Sequence, residues 1–216
     1  MKSLLVSFLL IICFAAAAQT NDRRGYNFGI RLGGANCNVS GARVKSEAKG
    51  GLTAGFWLQL KMSKLWTIQG DLFLVQKGSG GWSADKPVTP GEYLLNLSYL
   101  ELPVLFQYHP GKLSFEFGPG IGILLSQHEN LVGDAYPDLT DQYPFTRKEF
   151  SFNIGTGYSF NVRWYLGFRF THSLQPVRTQ IPAISQQAYN RAFTIFVARS
   201  LTARKKKSRT EDNQFN

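Results

Sequence analysis

The stretch Gly51-Leu52-Thr53-Ala54-Gly55-Phe56-Trp57-Leu58-Gln59-Leu60-Lys61-Met62 changes polarity at nearly every step. Leu52, Ala54, Phe56, Leu58, Leu60 and Met62 fall on one side, and Thr53, Gly55, Trp57, Gln59 and Lys61 on the other. A period of two is the signature of a strand with one greasy and one polar face. A strand of this length is long for a soluble sheet but suits a tilted crossing of a bilayer.

The same rhythm extends in both directions. Trp66, Ile68, Leu72 and Leu74 oppose Thr67, Gln69, Asp71 and Phe73. Phe115, Phe117, Ile121 and Ile123 oppose Ser114, Glu116, Gly118, Gly120 and Gly122. Further on, Phe150, Phe152, Ile154, Tyr158 and Phe160 oppose Glu149, Ser151, Asn153, Gly155, Gly157 and Ser159. Adding residues 25–35, 94–108, 164–175 and 188–201 gives eight strands. Their connections alternate. Residues 63–64, 110–112 and 161–163 are tight turns, whereas 36–49, 77–93, 127–146 and 176–187 are long. That alternation predicts an all-β, eight-stranded antiparallel up-and-down transmembrane barrel, with short turns in the periplasm and long loops outside the cell.

Bore size assigns the faces. Eight strands enclose only enough room for side chains to fill. The Gly-, Ser-, Thr- and Asn-rich set fits that bore, so the Leu-, Phe- and Ile-rich set is expected to face lipid. Trp66, Tyr108, Phe160 and Trp164 fall on the apolar face near the short turns and read as a periplasmic aromatic girdle.

Composition sets the boundaries. The chain has 216 residues, 44% hydrophobic and 18% charged, with two cysteines, which is one domain's core and no disulfide scaffold. Past the first 20 residues no apolar run is long enough for a spanning helix. Lys2, the apolar run 4–14 and Ala16-Ala17-Ala18 read as an export signal over residues 1–18. Its removal takes Cys13 away and leaves Cys37 alone, so no internal disulfide is expected. The barrel occupies 19–201, and 202–216 is a basic polar periplasmic tail containing Arg204-Lys205-Lys206-Lys207. The formal charge of +10 raises the question of nucleic acid, but an exported chain seldom meets any, so none is expected as a partner. Anionic lipid headgroups are the sharper reading of the tail, and a solvated tail the plainer one.

Several segments resemble the small outer-membrane β-barrel family of Bacteroidetes, called PorT-like or outer-membrane β-barrel domain. The resemblance rests on the Ala18-Gln19 end of the signal, the first strand Tyr26-Asn27-Phe28-Gly29-Ile30-Arg31-Leu32-Gly33-Gly34, residues 99–108 (YLELPVLFQY) and Phe117-Gly118-Pro119-Gly120-Ile121-Gly122. It implies the barrel architecture and location in the cell outer membrane, and specifies no reaction. A few family members assist a secretion apparatus, and nothing here marks this chain as one of them.

Charged residues in the inward set sort by strand. Arg31, Lys61 and Arg169 lie on strands one, two and seven, which closure makes neighbours, while Asp71, Glu101 and Glu116 lie on strands three to five. A basic wall facing an acidic wall predicts ion pairs across the bore, with Arg31, Asp71, Glu101 and Arg169 at mid-height. Such pairs would plug the barrel.

Candidates for catalysis are few. His172-Ser173 resembles the His and Ser that lipid A deacylases carry on one strand, but there the two are two apart and share a face. Adjacent residues point to opposite faces, so no catalytic site, cofactor site or metal site is expected. His109 and His128 lack ligand partners at metal spacing. The loops carry Trp82, Tyr136, Tyr143 and Phe145, a mixture able to offer a protein partner an aromatic surface. The expected role is structural or interactive, through the extracellular loops and with outer-membrane lipid around the wall. The alternatives are a narrow ion or small-solute channel and a soluble lipocalin-like carrier.

Overall fold

A computed structural model describes residues 25–40, 48–81, 93–131, 144–178 and 187–202. Residues 1–18, where an export signal is expected, the residues beyond Thr202, and Trp82, Tyr136 and Tyr143 lie outside the described residues. The strands are β1 (Tyr26–Ser40), β2 (Lys49–Lys61), β3 (Trp66–Gly81), β4 (Tyr93–Tyr108), β5 (Leu113–Leu131), β6 (Lys148–Ser159), β7 (Trp164–Ser173) and β8 (Tyr189–Ser200). Each pairs antiparallel with the next, and β8 pairs with β1 to close an eight-stranded barrel.

Turn chemistry fixes the short ends. Ser63 Oγ accepts from the amides of Leu65 and Trp66, and Asn161 Oδ1 accepts from those of Arg163 and Trp164. In the third turn Gly111 has φ 73°, a left-handed conformation that favours glycine.

Closure sets the tilt. Stepping across paired residues from Tyr26 leads to Leu60, Ile68, Phe106, Phe117, Ile154, Phe170 and Phe193. The next step returns to β1 at Asn36, so the stagger is 36 − 26 = 10 residues. Strands in such a barrel lean by about 35–45°.

The faces follow the sequence alternation. Leu52 and Phe56 are 66% and 63% exposed on the outside, while their neighbours Thr53 and Trp57 are buried within. The lower outer wall is apolar except for Thr156 on β6 and Arg199 at the short-turn rim of β8, as lipid contact requires.

Three strands run further than the alternation suggested. β1 continues to Ser40, β3 to Gly81 and β5 to Leu131, into segments read as loops. The physical reason is an inversion of polarity. On β1 the lower half puts Arg31 inside and Ile30 and Leu32 outside, whereas the upper half puts Ala35, Cys37 and Val39 inside. Asn36 is then exposed on the outer wall. The barrel therefore continues past the lipid band, where water and not hydrocarbon surrounds it.

The outer half of the bore consequently mixes apolar side chains with polar ones. Cys37, Val39, Phe73, Val75, Leu95, Leu97, Tyr99, Val177 and Phe145 form one buried cluster there. Phe145, expected on an exposed loop surface, is 5% exposed and lies 4.7 Å beneath the Arg178 guanidinium. Cys37 is buried as a free thiol.

Candidate functional site

The bore holds two layers of charge, the lower beneath the apolar cluster and the upper set among its side chains. In the lower layer, strands β1, β3, β5 and β7 each send one ionised side chain inward. Arg31 Nη1 donates to Asp71 Oδ2 at 2.7 Å, and Arg169 Nη1 donates to the same oxygen at 2.7 Å. Arg169 Nε donates to Glu116 Oε1 at 2.6 Å. Gln69 donates to the second Asp71 oxygen, and Gln107 to the second Glu116 oxygen. The layer balances two cations against two carboxylates. Phe73 and Phe196 flank the Arg31 guanidinium at 4.3 and 3.8 Å from their centroids, which favours the cation further.

The upper layer centres on Lys77 Nζ, 2.5 Å from Glu101 Oε1 and 2.8 Å from Glu149 Oε1. Asn190 Nδ2 donates to Glu149 Oε2 at 2.7 Å. All these charged groups are almost fully buried. A buried ion deprived of its partner costs about 3–5 kcal/mol, so the members of each layer hold one another in place.

Of the six charged residues expected in the bore, the structure brings Arg31, Asp71, Glu116 and Arg169 into one cluster. Glu101 sits in the other layer, against Lys77. Lys61 joins neither, because β2 ends there and its side chain is exposed at the rim. Lys77 and Glu149 complete the upper layer and were not singled out from the sequence. Glu149 stood in the inward set of β6. Lys77 continues the inward series Asp71, Phe73, Val75, although the sequence pattern places it first in the expected loop 77–93.

Close approach explains the small residues. A Cβ on Gly155 would lie 2.7 Å from Glu116 Oε1 and 2.5 Å from the Phe168 carbonyl oxygen. A Cβ on Gly120 would lie 2.7 Å from Ser151 Oγ. These glycines leave room for polar side chains in a narrow tube.

Under the lower layer, a cavity of about 90 Å³ opens to the short-turn end, lined by Asn27, Gln59, Gln107, His109 and Tyr165 among others. His109 Nε2 is 2.9 Å from Thr67 Oγ1. Burial pulls its pKa below the ordinary imidazole value; Lys61 pulls in the same sense and Glu116 opposes.

Trp66, Phe160 and Trp164 are exposed at the short-turn ends of their strands, and Tyr108 is half-buried beside them. The rings of Trp66 and Tyr108 are 5.0 Å apart, and Arg199 lies 5.3 Å over Trp164. His172 lies on the outer face and Ser173 is buried inside, where its Oγ accepts from the Asn190 amide. The two cannot act as a pair. Among the described residues no three His, Cys, Asp or Glu side chains are grouped as metal ligands.

Residues 17–178 match the family described as "Outer membrane protein beta-barrel domain". The chain belongs to that family. Its place is the outer membrane, its apolar wall meets lipid, and the soluble-carrier alternative falls away. No curated protein matches the chain. Among solved structures, Ail of Yersinia pestis is similar at 9% identity and a TM-score of 0.45, covering 81% of this chain and 97% of that one. Neisserial surface protein A is similar at 7% identity and a TM-score of 0.49, covering 81% and 98%. OprG of Pseudomonas aeruginosa is similar at 11% identity and a TM-score of 0.41, covering 82% and 95%.

Proposed function

We propose that this family member is a plugged barrel that works through its extracellular loops as an adhesion or assembly partner, with neither catalysis nor a standing pore. The observation that carries the reading is the filled bore. Arg31, Asp71, Glu116 and Arg169 occupy its middle, and Lys77, Glu101 and Glu149 lie above them among the apolar side chains that fill the outer half. An ion crossing this tube would have to break pairs that cost several kcal/mol each to separate. A barrel so filled is a rigid stand, and the segments free to vary chemically are the long connections. The lack of a shared face for His172 and Ser173 supports the non-catalytic part.

The finer kinship is with PorT-like barrels of Bacteroidetes, supported by the Ala18-Gln19 junction, the glycine-rich β1 and residues 99–108. Residues 1–18 act as the export signal and 202–216 as a basic periplasmic tail in this reading. The test is purified protein in planar bilayers at 1 M KCl. Silence, with short flickers at most, is expected. A persistent open state overturns the plug and makes the narrow channel the function.

A further inference from the structure

The upper edge of the lipid band can be followed around the wall. Beyond Leu32, Leu74 and Leu100 the outward positions become neutral, at Asn36, Gln76 and Ser98. On β6, β7 and β8 the change is different. There Phe150, Phe170 and Phe193 give way to Lys148, His172 and Arg191. The inward parity of Asp71, Glu101, Glu116 and Glu149 buries each of them in the bore, and none neutralises this patch.

The three basic residues are positioned by strand geometry. His172 pairs directly with Arg191 across β7 and β8, and with Phe152 across β6 and β7. Its ring lies between Phe170 and Tyr189, at 6.4 and 6.1 Å, which holds it on the outer wall. Lys148 is anchored through its carbonyl, which accepts from Gln175 Nε2 at 3.1 Å. From Lys148 to Arg191 the path is four residues along the strands and two strand spacings across, about 16 Å between Cα atoms. Beneath lies a continuous surface of Phe150, Phe152, Phe170 and Phe193, each 40–48% exposed.

We propose that this face of β6–β8 binds the diphosphorylated sugar headgroup of a lipid A-class glycolipid in the outer leaflet, with its acyl chains on the four phenylalanines. Two separated cations at headgroup height, linked by an imidazole and standing on an aromatic floor, match a headgroup with two separated phosphates and several chains. Near a membrane surface each Lys or Arg contributes about 1 kcal/mol to binding anionic lipid. A single-phosphate glycerolipid would engage one cation at a time. The inference rests on the loop end facing outward and is independent of whether the loops bind a protein.

The experiment is native mass spectrometry of the detergent-solubilised barrel titrated with diphosphoryl lipid A. One tightly retained lipid is expected, and Lys148→Gln with Arg191→Gln weakens it about tenfold or more. Lys112→Gln with Arg163→Gln, at the opposite rim, leaves it unchanged. Heat-dependent gel mobility checks that each variant is folded, and either single substitution serves if the double variant is not. Equal binding by the Lys148 and Arg191 variants, equal loss in the control pair, or equal retention of dephosphorylated lipid A overturns the site. Retention of phosphatidylglycerol as tight as that of lipid A overturns the glycolipid assignment.

Discussion

Asp71 accepts a guanidinium from each of Arg31 and Arg169 on one oxygen and the Gln69 amide on the other. Asp71→Asn leaves Arg31 without a carboxylate, and unfolding in urea should show a loss of about 3–5 kcal/mol. Glu101→Gln should cost clearly less, because Lys77 keeps Glu149 at 2.8 Å. Equal and negligible losses would mean that the bore is hydrated. His109 gives a pH dependence of known sign. An unfolded imidazole titrates near 6.5, and burial places the folded one lower, so protons bind the unfolded chain first. The stability contributed by neutral His109 is present above about pH 6.5 and is lost as pH falls through the folded value. Urea midpoints measured between pH 7.5 and 5 should fall less in His109→Gln than in the parent; an identical slope assigns the loss to other groups.

Strands carry two polarity patterns in sequence. Within the lipid band the apolar residues point out, and towards the long-loop end Ala35, Cys37 and Val39 point in. Ile195, 46% exposed and between Phe193 and Val197 on β8, lies within the lipid band. Ile195→Lys should cost about 2–4 kcal/mol in vesicle unfolding measurements. Gln76→Lys, above the band, should change stability by a few tenths at most. A comparable cost at both positions would place the edge of the band higher on the wall. Each β element was legible because alternation is local. Its upper end was less so, since a strand leaving lipid reverses its pattern and reads as a loop. The same reversal concealed Lys77 within β3, and with it the partner of Glu101.

The closed barrel has no free strand edge, and its outer wall is held in lipid, so the whole molecule should unfold as one unit. Fractionation should place it with the outer membrane, and the unboiled protein should migrate differently from the boiled one on detergent gels. Unchanged mobility would show that the barrel does not remain closed in detergent. The stagger of ten residues also makes the charged layers a property of the whole. Residues brought together in the bore, such as Asp71 and Arg169, are 98 positions apart in the chain.

The order of polar and apolar residues alone determined the strand count, the turn ends, the lipid-facing side and the outer-membrane setting, because each depends on neighbours two positions apart. Which charges meet was decided by closure. Register between β1 and β8 sets the height of every inward side chain, so Asp71 reaches Arg31 and Arg169 while Glu101 reaches Lys77. No local period carries that information, because the contacts run across the bore and exist only once the last strand has paired with the first.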